Sequence, residues 1–119
     1  MNKQVHVSIR INPSLKKRCD DVFKRLGMNT NAGVKLFLSQ MVLYQCLPFE
    51  LTLDEHVSDV FNHEKTASFV FNVDAEIKKK CSELAVNAGM NLSTMIKLYM
   101  VQVVDKIGIP FPVISNERV

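Results

Sequence analysis

Tryptophan is absent from this 119-residue sequence, and glycine and proline number only four each. So small a supply excludes collagen-like and low-complexity architectures. Cysteine occurs three times, at Cys19, Cys46 and Cys81, with no CxxC pair. An odd, scattered set fits reduced thiols in the cytoplasm better than a disulfide frame or a zinc knuckle. No apolar run approaches the roughly 18 residues that a bilayer span needs. The opening MNKQVHVSIR lacks the apolar centre of a signal peptide. A cytoplasmic protein with no membrane association is therefore expected. A glycine-rich phosphate loop, a metal motif and a Ser or Cys with a base in its phrase are missing as well. That argues against an enzyme, a cofactor or a bound metal.

What is present is an ordinary globular composition, 47% hydrophobic and 23% charged in 13.5 kDa. It suits one domain, or two very small ones sharing a core. The net charge of +3 hides a segregation. Residues 1–51 carry eight Lys/Arg against three Asp/Glu, residues 52–64 four acids and no base, and residues 65–119 seven bases against five acids. Two basic blocks either side of an acidic joint suggest nucleic acid as a partner, or simply a solvated surface.

The strongest signal is self-similarity. A shift of 62 residues lays Val5–Leu51 on Ala67–Val113 without a gap, with 12 of 47 positions identical. Among them are Lys16/Lys78, Cys19/Cys81, Gly27/Gly89, Asn29/Asn91, Gln40/Gln102, Pro48/Pro110 and Phe49/Phe111. Each copy opens with alternation. Val5, Val7, Ile9 and Ile11 oppose His6, Ser8 and Arg10, and Ala67, Phe69, Phe71 and Val73 oppose Ser68, Val70 and Asn72. Period two reads as a half-buried strand.

Asn12 before Pro13, and Asp74 with Glu76 in the next turn, are helix starts. The stripes Leu15, Cys19, Val22, Leu26 and Ile77, Cys81, Leu84, Ala88 follow helical spacing, and Gly27 and Gly89 supply the stop. A second helix is expected after Asn31 and after Ser93, both N-cap types. Its apolar stripe runs through Val34, Phe37, Leu38, Met41 and Val42, and in copy two through Ile96, Tyr99, Met100, Val103, Val104 and Ile107. Gly108, Pro48 and Pro110 would end these helices.

One strand–helix–turn–helix copy has unpaired strand edges and too little core to fold alone. Two copies pair their strands and pool four helices. The expected fold is mainly α with a two-stranded antiparallel ribbon, the copies forming an intramolecular pseudo-dimer that is monomeric or self-associates further on DNA. Copy one spans residues 1–51, an acidic connector 52–66, and copy two 67–114. The ribbon segments fall near 5–11 and 67–73, and the helices near 13–26, 32–45, 75–88 and 94–107.

This arrangement resembles the ribbon-helix-helix fold of the MetJ/Arc type, and more closely the RelB/DinJ antitoxins. The phrases that carry the resemblance are Val7-Ser8-Ile9-Arg10-Ile11-Asn12, Leu15-Lys16, Leu26-Gly27-Met28 and Leu47-Pro48-Phe49-Glu50-Leu51. Copy two repeats them as Phe71-Asn72-Val73-Asp74, Ala88-Gly89-Met90 and Ile109-Pro110-Phe111. The resemblance implies a cytoplasmic, sequence-specific DNA-binding repressor, with double-stranded DNA and a RelE/YafQ-type ribonuclease toxin as partners. The family normally carries one copy per chain and a C-terminal tail that wraps the toxin. Here there are two copies, and only Ser115–Val119 follow the second, so DNA binding is implied more directly than toxin capture.

The resemblance places the polar ribbon face in the major groove. Its base readers here would be His6, Ser8 and Arg10, with Ser68, Val70 and Asn72 opposite, the alternative being an ordinary solvated sheet face. The chemistry agrees: Arg suits guanine, Asn adenine, Ser either, and Val only a thymine methyl. The N-termini of the second helices would hold phosphate through Thr30, Asn31, Ser93 and Thr94, or serve as plain helix caps. Lys16-Lys17-Arg18 and Lys78-Lys79-Lys80 either add phosphate attraction or form a solvated face. In the joint, Thr52 and Glu55 have capping-box spacing, and Leu53, Val57, Val60 and Phe61 form a short apolar stripe. That segment is either a connector packed on the core or a docking helix for a basic partner. His56 and His63 are spaced by seven, not the four that puts two ligands on one helical face, so no metal site is expected there.

Overall fold

The computed structural model describes residues 3–48 and 67–112. Within them strand, helix and helix follow one another twice. Strand β1 (Gln4–Ile11) is followed by α1 (Pro13–Arg25) and α2 (Thr30–Tyr44); β2 (Ala67–Asp74) is followed by α3 (Ala75–Asn87) and α4 (Leu92–Lys106).

The strands pair antiparallel, with Ser8 opposite Val70 at the centre, His6 opposite Asn72 and Arg10 opposite Ser68. Alternation explains the ribbon's two faces. Val7, Ile9, Ile11, Phe69, Phe71 and Val73 are buried, and the residues between them are exposed. Burying one phase also fixes the register, because a slip of one residue would turn every buried side chain into water.

Asn12 caps α1, its Oδ1 accepting from the N–H of Ser14 at 2.7 Å and of Leu15 at 3.4 Å. Asp74 caps α3 in the same way, from Glu76 at 2.8 Å and Ile77 at 3.3 Å. Both first helices stop at glycines in the left-handed region, Gly27 (φ +80°) and Gly89 (φ +84°).

The second helices begin two residues before the expected 32 and 94. The caps are not Asn31 and Ser93 but Asn29 and Asn91, whose side chains accept from the N–H of Ala32 and Thr94, each at 2.8 Å. In each half the identical Gly-Met-Asn phrase brings the asparagine out of the turn in extended backbone, and the helix starts at once. The helix ends also fall early. Gln45 (φ +60°) and Ile107 (φ +53°) take the left-handed cap conformation, before Gly108 or either proline is reached.

The apolar stripes need correction at three residues. Leu26 is 45% exposed and Ile107 64% exposed, and Ala88 is exposed too. These residues cap their helices, where the chain turns off the core. Phe23 and Ala85 take the buried places, one turn beyond Cys19 and Cys81.

Buried residues from the ribbon and all four helices form one cluster. Helix α1 packs chiefly on α4, and α3 on α2. Cys19 donates to the Met100 carbonyl at 3.3 Å and Cys81 to the Leu38 carbonyl at 3.2 Å. Phe37 and Tyr99 stack with ring centres 4.2 Å apart and planes 4° from parallel, and the Tyr99 hydroxyl donates to the Gly33 carbonyl at 2.9 Å. Phe111 closes this end of the core against both rings and Tyr44, whose hydroxyl donates to the Pro112 carbonyl at 2.6 Å.

Candidate nucleic-acid interface

All six expected base readers share the exposed face of the ribbon. His6, Ser8, Arg10, Ser68, Val70 and Asn72 are each exposed, in three cross-strand pairs over a buried floor. Each of the six stands between two side chains of the inward-facing phase, which are buried except for the half-buried Val5 and Ala67. Arg10 Nη1 donates to Ser68 Oγ at 3.2 Å, a contact that runs across the ribbon to the directly opposite residue. Val70 is 49% exposed at the centre. Gln4 lies one residue before the strand start expected at Val5 and so falls outside the expected readers. It is exposed in the same phase as His6 and opposite Asp74, and the alternation Gln4-His6-Ser8-Arg10 was the signal that could have found it.

This face offers a fork of donors at Arg10, amides at Asn72 and Gln4, hydroxyls at Ser8 and Ser68, an imidazole at His6 and the methyls of Val70. Such a set can satisfy the edges of stacked bases in a major groove, which is wide enough for a two-stranded ribbon.

The flanking positions are less uniform. Thr30 is buried, and its hydroxyl is hydrogen-bonded to the Asp20 carboxylate. That carboxylate also takes the Lys16 ammonium at 3.1 Å. Any contact of Thr30 with an anion would therefore run through its backbone N–H. Asn31 and Thr94 are exposed and Ser93 half-buried. Lys17, Arg18, Lys79 and Lys80 point to solvent, while Lys78 is half-buried. Lys16 lies 5.9 Å from the centre of the Phe69 ring.

The possible docking residues Leu53, Val57, Val60 and Phe61 lie outside the described residues, as do His56 and His63. Among the described residues no group of three or more His, Cys, Asp and Glu could hold a metal ion, and no helix is long and apolar enough to cross a membrane. The buried thiols of Cys19 and Cys81 are pushed up to about 12, chiefly by desolvation. For Cys19 the neighbouring Asp20 carboxylate raises it further and Lys16 lowers it. Protonated, buried thiols are poor nucleophiles.

In a comparison with known families, the model of the RelB antitoxin family matches residues 4–63, just over half of the chain. No curated protein and no solved structure matches it.

Proposed function

The chain belongs to the RelB antitoxin family, whose role is in toxin–antitoxin systems, and from that premise we propose that it is a sequence-specific DNA-binding repressor. Residues 1–51 and 67–114 act as two ribbon-helix-helix copies of a pseudo-dimer, joined through 52–66. The ribbon enters the major groove and reads an imperfect inverted repeat.

One observation carries this reading: six side chains able to address base edges are exposed on one face, while the opposite face of the same strands is buried. In the complex Arg10 bonds guanine, Asn72 adenine, and Val70 meets a thymine methyl, with Ser8, Ser68 and His6 completing the contacts. Asn31, Ser93, Thr94 and the Thr30 N–H hold flanking phosphates, which set position rather than sequence. The exposed lysines and Arg18 add salt-dependent attraction.

The test is binding to duplexes selected from a random pool. The natural protein enriches a motif, and Arg10→Ala weakens binding to it by about 1–3 kcal/mol while changing random-sequence binding far less. A pool that yields no enriched motif removes the reading.

The family match favours a second reading, neutralisation of a RelE/YafQ-type ribonuclease. Leu53, Val57, Val60 and Phe61 would then anchor a helix-in-groove contact, steered by the four acids of residues 52–64. Co-purification with such a toxin, lost on Phe61→Ala at an unchanged melting temperature, would establish it.

A further inference from the structure

The two ends of the ribbon's exposed face are chemically unlike, and the register fixes where each kind of group sits. His6 lies opposite Asn72, with Gln4 next in phase; Arg10 lies opposite Ser68. If the two strands were identical, antiparallel pairing would give both ends the same pair of residues. Here one end presents amides and an imidazole, and the other a guanidinium and a hydroxyl.

Asn and Gln match the adjacent donor and acceptor of adenine, whereas a guanidinium matches the two acceptors of guanine. The bond from Arg10 Nη1 to Ser68 Oγ, 3.2 Å long, ties the guanidinium to its own end. Positions 6 and 10 of one strand are about 13 Å apart at ~3.3 Å per residue, so the two ends address different base pairs. At the centre, Ser8 faces Val70, a polar group across from an apolar one, and the two strands differ there as well.

Resting on the DNA-binding reading above, we infer that the protein docks on its site in a single orientation, with Arg10 over a G·C pair at one end and Asn72 over an A·T pair at the other. The chain thus reads a directional site, not a palindrome.

Selection from random duplex DNA tests this with the natural chain and three variants. The natural chain enriches a motif with one G·C-requiring end and one A·T-requiring end. Arg10→Ala loses about tenfold of base discrimination at the G·C end only, and Asn72→Ala does the same at the A·T end only. Ser68→His, Val70→Ser and Asn72→Arg together give both strands the same readers, and the enriched motif becomes a perfect inverted repeat with G·C at both ends. These positions are exposed, and circular dichroism checks that the fold is kept; should the triple variant unfold, the two alanine variants decide. A palindrome enriched by the natural chain, or both alanine variants relaxing the same end, overturns the single orientation while leaving DNA binding intact. No enrichment at all overturns both.

Discussion

Cys19 and Cys81 ionise from 9.0 in an unfolded chain but only at about 12 when folded. Burial favours the neutral thiol, and each sulfur already donates its proton to a carbonyl of the opposite half. The sign follows from linkage. The stabilisation is fully present below pH 9, where both states are protonated. It is lost as the pH rises from 9 to 12, because the unfolded chain releases protons that the folded one retains. The Tyr99 phenol is raised too, again chiefly by desolvation, and adds to the decline. The melting temperature is therefore expected to fall steeply between pH 9 and pH 12. Cys19→Ala with Cys81→Ala should flatten that fall, the remainder coming from Tyr99. A melting temperature level across this range in the natural protein would contradict the assignment.

At the scale of the elements, the sequence was informative wherever one physical rule acted alone. Period-two alternation located both strands and the exposed phase that holds His6, Ser8, Arg10, Ser68, Val70 and Asn72, since a ribbon with one buried face leaves no other choice. The caps Asn12 and Asp74 were visible because each precedes a helix directly. The second helices were misplaced because Asn29, Thr30 and Asn31 are all acceptable cap types, and which one caps depends on where the Gly27 turn delivers the chain. Their C-termini were misplaced because Gln45 and Ile107 sit in a conformation that favours glycine, something composition gives no hint of. The preference for Leu26 over Phe23 failed because the two lie three residues apart and both fit helical spacing. Packing between α1 and α2 decided it. A Cβ at Gly33 would lie 2.3 Å from the Phe23 ring, so glycine there makes room for phenylalanine. The corresponding residues in the second half, Met95 and Ala85, are both buried with the sizes exchanged. Gly33→Ala should cost about 1–3 kcal/mol by overpacking, despite its better helix propensity. Combining Phe23→Ala with Gly33→Met, which copies the second half, should be more stable than the sum of the single changes. A double-mutant cycle in urea reads the coupling, and strict additivity would refute it.

For the whole molecule, the decisive property is that both ribbon strands and all four helices come from one chain. Light scattering is expected to give 13.5 kDa, and the melting temperature should not change with protein concentration, as it would for an obligate dimer. Absence of monomer in dilute solution would mean that strands are exchanged between chains. The continuous ribbon also bears on how such a repressor would respond to its own abundance. A repressor assembled from separate subunits must associate before it can bind, so at low levels its operator occupancy rises with the square of the subunit concentration. On the DNA-binding reading proposed above, a ribbon that is already whole would remove that step, and occupancy would rise in direct proportion to the number of chains. Control by this protein would accordingly be graded rather than thresholded, with no concentration below which synthesis yields only inactive halves.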